Sequence, residues 1–333
     1  MEIRKIQVTG GSSFMVTLPK EWAETVGIKK NAPIGLQPQS DGSLILYPAS
    51  SETTQSRSKK VIDATDIEDM DLFYRQLIGA YIAGHDVIEI RSDYELRTMI
   101  TSVASNFVQI AIGLEILEED DTHIIIKDLI NQDELRPVKS IERMRILVKN
   151  MLNDVLNALN LKDTKYLNDM ENRDREVDRL NWLISRQVNI HQKDITISRR
   201  QGVDLSTISR CGTVGRTIER IGDHAIILTN NLRPLIDDES TDPVDDEIVA
   251  VGRSAVTLFS DSISTWLSKD MLSANECIVR GEELVSKTVY ISEMSENLTG
   301  KGALAAKRIA ESVKRIAEYS MDISEITINA AME

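Results

Sequence analysis

Glu219-Arg220-Ile221-Gly222-Asp223-His224 in one helical stretch is echoed by Lys314-Arg315-Ile316-Ala317-Glu318-Tyr319 near the C-terminus. Around the two phrases the chain reads as helix almost without interruption from Pro137 onward. Ile141, Met144, Val148, Met151, Val155 and Leu159 recur at steps of three and four, the apolar stripe of a helix packed on a core. Breaks are expected at Lys162-Asp163-Thr164, around Gly202, at Arg233-Pro234, at Ser268-Lys269-Asp270 and at Thr299-Gly300. Six helices result, grouped three and three about the acidic joint 237–246. The echo makes each group one copy of a duplicated unit. Two tandem three-helix bundles follow, at residues 137–235 and 244–330.

Working outward, residues 61–135 mix helix and strand. Helices are expected at Ile67–Ala83 and Glu95–Val108, and strands at Val87–Arg91, Leu114–Glu118 and His123–Lys127, the last two joined as a hairpin through Glu119-Asp120-Asp121. The sequence assigns this α/β segment no role. Residues 49–60 read as a polar linker. Before it, 2–8 alternate with period two, Gly10-Gly11-Ser12-Ser13 is a turn, and Phe14–Thr17 is a second short strand. Pro19 opens a short helix stopped by Gly27, and strands near Ile34–Gln37 and Leu44–Tyr47 flank the turn Ser40-Asp41-Gly42. So small a unit buries too little on its own and is expected to need a second copy.

The composition of the 333 residues agrees with this layout. Aromatics are 4%, which suits aliphatic bundles better than sandwiches or sugar-binding clefts. Cys211 and Cys277 are too few for a disulfide framework or a thiolate zinc site, so a reducing cytoplasm is expected. Neither a targeting segment nor a membrane span is expected. The net charge is −14, yet residues 1–60 carry eight Lys and Arg against five Asp and Glu, a balance of +3 that leaves the remainder at −17. Any polyanion is therefore expected to bind through the first sixty residues.

Two acidic i, i+4 pairs lie inside the first bundle. Asp174 and Asp178 share a face of its middle helix, and Glu219 and Asp223 share a face of its third. Two such faces turned toward each other offer oxygen ligands to hard or borderline cations; each pair alone is equally a solvated helix face. His224 points about a hundred degrees away from Asp223 and reads as a packing residue. Gly212 and Gly215 sit in helical context and read as sites of close helix approach. No GxGxxG, P-loop, HExxH or Glu-x-x-His pattern occurs, so no catalytic residue is assigned.

Glu219-Arg220-Ile221-Gly222-Asp223-His224-Ala225, preceded by Val214-Gly215-Arg216, resembles the signature of the PhoU phosphate-uptake regulators. Asp174-Arg175-Glu176-Val177-Asp178 with Leu180 resembles that family's middle-helix motif. The resemblance implies a non-enzymatic regulator with a metal held by Asp174, Asp178, Glu219 and Asp223, the ion being divalent or trivalent: iron, manganese or zinc. In the second copy Lys314 stands where a carboxylate is expected, and Gly281 and Val285 fall opposite Asp174 and Asp178; only Glu318 is retained. Residues 1–48, through Arg4-Lys5-Ile6 with Gly10, Leu18-Pro19-Lys20-Glu21-Trp22 and Val26-Gly27-Ile28-Lys29-Lys30, resemble the AbrB/SpoVT swapped-hairpin family. That likeness implies a dimer of interleaved hairpins that contacts DNA. Arg4, Lys5 and Lys20 match the family's basic positions, with Lys29 and Lys30 as additions, and Asn31-Ala32 replaces the usual Gly-Asp.

The expected whole is a cytoplasmic, homodimeric regulator of phosphate homeostasis. A β-rich swapped-hairpin head binds DNA, an α/β segment follows, and the bundles respond to a metal or a phosphate-linked signal. The competing reading keeps the head for dimerisation only and docks the body on a phosphate transporter or a sensor kinase.

Overall fold

The computed structural model describes residues 3–11, 13–38, 42–48, 58–131, 136–194, 197–198, 201–237 and 241–333. The expectations for Glu2, Ser12, Ser40, Asp41, residues 49–57 of the linker and residues 238–240 of the joint lie outside them. The chain divides into two compact units, Met1–Ser58 and Lys59–Glu333.

In the first unit β1 (Gln7–Thr9) and β2 (Ser13–Met15) form an antiparallel hairpin with Val8 opposite Phe14. Gly10 and Gly11 turn it at φ +65° and +82°, a region that residues with a Cβ rarely adopt. The first strand was expected over 2–8 and the second over 14–17. Both are shorter and shifted, because the ladder runs only from Gln7 opposite Met15 to Thr9 opposite Ser13. Helix α1 (Lys20–Thr25) follows Pro19, and β3 (Ile34–Pro38) pairs with β4 (Leu44–Pro48), setting Leu36 opposite Leu46. No described residue of 3–48 is buried. Val8 is 67%, Phe14 78% and Leu36 62% exposed.

The second unit begins with β5 (Lys59–Asp63), so Lys59 and Lys60, expected in the linker, belong to a strand. The alternation that placed the other strands is short here, and parallel pairing with β6 (Val87–Arg91) supplies what the local pattern lacks. Helix α2 (Met70–Ile82), capped by the Asp69 carboxylate on Leu72 N–H, makes the crossover between these parallel strands. Helix α3 (Thr98–Ile110) and the hairpin of β7 (Leu114–Glu119) and β8 (His123–Asp128) complete a sheet in the order β5-β6-β8-β7. Ile62, Ile88, Ile90, Ile124 and Ile126 pack against Phe73, Leu77, Tyr81 and Phe107 as its core.

The helical part comprises α4 (Pro137–Asn160), α5 (Met170–Lys193), α6 (Leu205–Ile236), α7 (Asp242–Ser268), α8 (Met271–Met294) and α9 (Gly300–Ala331). The expected breaks hold except at Arg233-Pro234, where α6 runs on to Ile236. Proline falls there in the last turn, so the missing N–H and the ring disturb only the end of the ladder. One continuous aliphatic core runs through both three-helix groups. Asp204 and Asp270 cap α6 and α8 through side-chain bonds to backbone N–H groups. At Gly215 a Cβ would stand 3.2 Å from Ile184 Cδ1, so the glycine sets how closely α6 approaches α5. Cys211 and Cys277 are buried free thiols.

Helix α5 also clasps the α/β segment. The guanidinium of Arg186, whose side chain is 1% exposed, donates to Asp128 Oδ2 at 2.6 Å, to Tyr81 O at 2.6 Å and to His85 O at 3.0 Å, and lies over the Tyr81 ring. Arg179, Asn189 and Lys193 donate to the carbonyls of Ile110, Ile82 and Ala83, and Trp182 packs against the segment's core. These five residues step by three or four along one side of the helix. Replacing Arg186 with Met leaves the Asp128 carboxylate, 3% exposed, without its cation. Urea unfolding is expected to show a loss of about 3–5 kcal/mol. Adding Asp128→Leu restores part of it, short of the whole because Asp128 also accepts from Ile130 N–H. A single-variant loss below about 1 kcal/mol contradicts a buried clasp.

Candidate functional site

Asp174 and Asp178 project from the first half of α5 and Glu219 and Asp223 from the middle of α6. The helices are held together by Val177, Ile218 and Ile221, all fully buried. Gly222 of α6 faces this junction: a Cβ there would stand in van der Waals contact with Val177 at 3.5 Å and Asp174 Oδ1 at 3.7 Å. The two pairs expected from sequence thus face one another across α5 and α6.

Their electrostatics report the closeness. Burial, then the charges of Asp174, Glu219 and Asp223, push the Asp178 carboxyl up to about 7, with Arg216 opposing. Asp174 is raised by burial and by Asp223. Glu219 is raised by burial and Asp223 against the pull of Arg216 and Arg220. Asp223, the most exposed of the four, is raised by burial against Arg216, His224 and Arg220. Burial, then the charge of Asp178, raises the hydroxyl of Tyr74 on α2, so the cluster borders the α/β segment. Glu219 Oε1 accepts from Arg216 Nη1 at 2.6 Å, while its buried Oε2 has no hydrogen-bond partner.

The donor set suits a hard or borderline cation: four carboxylates, one with an orphaned buried oxygen, and a surplus of negative charge that a cation relieves. Among the described residues no group of three or more His, Cys, Asp or Glu is placed to hold a metal ion. Closing the four around one point therefore requires side-chain rotation, starting with Glu219 leaving Arg216.

The second copy is arranged differently. Glu318 on α9 pairs with Arg315 at 2.9 Å and Lys314 at 3.7 Å, and Arg315 pairs with Glu311 at 3.0 Å. Lysine in place of a carboxylate turns repulsion into a compensated surface. One turn beyond Glu318, Asp322 is raised by burial, Glu325 and Glu318, and Arg220 of α6 opposes the shift. The sequence signal for Asp322 is its i, i+4 spacing from Glu318, which lies past the end of the echoed phrase. Arg216 and Tyr74 were missed as neighbours of the site: an i, i+3 step from Glu219 pointed to the first, and nothing local to the second. His224 is a packing residue, its ring 5.9 Å from that of Tyr319 and its Nδ1 buried without a hydrogen bond.

In the first unit, Arg4 and Lys5 precede β1, Lys20 opens α1, and Lys29 and Lys30 follow it; all five are exposed. Lys20 lies 3.7 Å from Glu24, an exposed pair of little energetic weight.

The family model of the PhoU domain matches residues 141–230. That of the antidote-toxin recognition domain MazE, a bacterial antitoxin, matches residues 7–54. No curated protein matches the chain at a significant level. Among solved structures, that of the phosphate transport system regulatory protein PhoU from Streptococcus pneumoniae is similar at 15% identity and a TM-score of 0.47, covering 57% of this chain and 90% of that one. No helix among the described residues is long and apolar enough to cross a membrane. The matched PhoU span takes in α5 and most of α6, with both carboxylate pairs, and the matched MazE span takes in both hairpins of the first unit.

Proposed function

We propose that the chain is a cytoplasmic regulator of phosphate uptake and homeostasis. Residues 1–48 bind DNA as a dimer, and the bundles at 137–235 and 244–330 respond to a metal or a phosphate-linked signal. The observation that carries the reading is the gathering of Asp174, Asp178, Glu219 and Asp223, whose mutual repulsion costs stability and for which the core offers no structural need. A divalent or trivalent cation held there, by those four residues, would supply the missing counter-charge. The chain's own part is to present the four oxygen donors on two tightly packed helices, to hold Arg216 ready to compensate Glu219 in the metal-free state, and to keep a proton near Asp178 at neutrality. For the head, the support is its exposed apolar surface: Val8 and Phe14 on one hairpin and Leu36 on the other need a cover that a second copy supplies. The five exposed cations then occur twice in one particle.

The DNA reading is tested on the full chain with Arg4→Ala, Lys5→Ala and Lys20→Ala. Each phosphate interaction removed is expected to flatten the slope of log K against log salt by about 0.9, and to weaken binding evenly across sequences. A triple variant with unchanged affinity and slope leaves the head with dimerisation alone.

The acidic cluster makes a pH prediction whose sign is fixed. Asp178 titrates at about 7 in the folded chain against 3.8 for the free side chain, so the folded state holds a proton that the unfolded state gives up. Stability should therefore fall as pH rises from about 4 to about 7. In Asp178→Asn that slope flattens, and at pH 8 the chelated variant is more stable than the parent by on the order of 1 kcal/mol, solvent screening of this partly exposed group included.

Metal should stabilise the parent and leave a double variant of the cluster unchanged. Iron, manganese or zinc at a hundred times Kd is expected to stabilise the parent by about 2.7 kcal/mol, read as a rise in Tm. Asp178→Asn with Glu219→Gln should show no rise. A parent Tm indifferent to all three metals removes the metal from the reading.

A further inference from the structure

The strongest unassigned feature is cationic and lies on the opposite charge logic from the rest of the body. Two open hollows flank the exposed ridge of α7. One, of about 350 Å³, lies between α7 and α8 and is bordered by Arg253, Ser254, Thr257, Arg280, Glu283 and Lys287. The other, of about 570 Å³, lies between α4 and α7, with Lys149, Asn153, Asn157 and Ser260 on its walls. Arg253 and Thr257 line both, so the hollows meet across Arg253. Four cations face them against two acids, Asp261 and Glu283, in a body whose residues beyond 60 carry −17. Arg280 is committed, donating to Asp261 Oδ2 at 2.8 Å. Lys149, Arg253 and Lys287 are exposed, and no ion pair or side-chain hydrogen bond involves them among the described residues. In a strongly acidic body, cations that neutralise neighbours are ordinary; three that face the same pair of hollows without doing so are available to a ligand.

We propose that these hollows form one binding site for a small anion with two or more phosphoryl groups, lying across α7 with Arg253 at its centre and Lys149 and Lys287 at its ends. Arg253 presents a planar fork of N–H donors that matches phosphoryl oxygens, and the two lysines act as point charges on either side. The ridge between the hollows carries Thr257 one turn from Arg253, a short side chain that leaves the path across it low and adds a hydroxyl donor; Ser254 adds a second hydroxyl in the first hollow, and Asn153 and Asn157 add amide donors in the other. A single phosphoryl group reaches one hollow only, so affinity should rise with chain length. No aromatic side chain lines either hollow, so a nucleoside gains nothing by stacking and the ligand is read as an oligophosphate without a base. The inference rests on the proposed function in one respect, since it names the phosphate-linked signal. It involves neither the head nor the acidic cluster, so the binding measurement is made without DNA and with metal chelated, and the two readings fail separately.

The test is calorimetric titration of the full chain with orthophosphate, pyrophosphate, tripolyphosphate and ATP, and with a hexaglutamate peptide. The expected order is tripolyphosphate tightest, then pyrophosphate, then orthophosphate, with ATP no tighter than tripolyphosphate and hexaglutamate weaker. Arg253→Gln should weaken tripolyphosphate about tenfold, as removal of one charge-assisted hydrogen-bonding group does. Arg253→Lys should recover part of this, and Lys149→Gln and Lys287→Gln should each flatten the dependence on chain length. All three positions are exposed, so Tm without ligand should match the parent. The proposal is overturned if no oligophosphate binds, or if Arg253→Gln binds tripolyphosphate as the parent does. It is equally overturned if binding is lost only in the Arg4, Lys5, Lys20 triple variant, which places the anion on the head, or if hexaglutamate binds as tightly as tripolyphosphate, which makes the groove a general acidic-partner surface.

Discussion

A guanidinium only 1% exposed cannot be left short of partners, and among the described residues every partner of Arg186 outside its own helix belongs to the α/β segment. Desolvating that charge is tolerable only while Asp128 at the end of β8, the carbonyl of Tyr81 at the end of α2 and the carbonyl of His85 in the following turn all stay in place. Shifting any one strands a charge in a low-dielectric interior, so the sheet and the first bundle hold one arrangement. The apolar contact at Trp182 and the carbonyl bonds of Arg179, Asn189 and Lys193 follow from that clasp rather than create it.

The same helix serves the acidic cluster. At a hundred degrees per residue, Asp174 and Asp178 lie within about 40° of each other, and the clasp residues centre some 60–80° further round, with Asp178 between the two groups. Geometry thus explains why Tyr74 of α2 responds to Asp178 and not to Asp174. A change of charge at the cluster acts on a helix whose other half is fixed to the sheet. Bundle 2 has no equivalent: replacing the first carboxylate of the phrase by Lys314 lets the surface neutralise itself, and Glu311, Lys314, Arg315 and Glu318 close into a network. The two three-helix groups share a layout, but with Lys314, Gly281 and Val285 opposite Glu219, Asp174 and Asp178 only the first gathers uncompensated charge.

The elements carried by long periods were legible. Steps of three and four from Ile141 to Leu159 gave α4 its extent, and the alternation at Val87–Arg91 placed β6 to the residue. Where tertiary pairing decides, local pattern fell short: β5 needs β6 beside it, and β1 ends where its partner ends. Gly215 was legible as a close approach because a glycine in a good helical stripe has few other uses. The carboxylate pairs were visible as two faces, yet their facing each other was not, since each spacing is indifferent to what lies opposite. Arg186 was hidden most completely. Its partners are 58 to 105 residues away, and in sequence it is one more arginine on a charged helix.

In the first unit the physics runs the other way: with no described residue of 3–48 buried, the fold cannot rest on an interior of its own. Two-stranded hairpins are marginal in water, and here each sets an apolar pair across its ladder, Val8 with Phe14 and Leu36 with Leu46. A cross-strand pair stabilises a hairpin by well under the entropy of ordering it, so the apolar faces have to be covered from outside the described residues. If a second copy does so, the stability of the head depends on protein concentration while that of the body does not. The two units then answer to different variables, the head to how much protein is present and the body to its charge state, so either can lose its fold while the other keeps it.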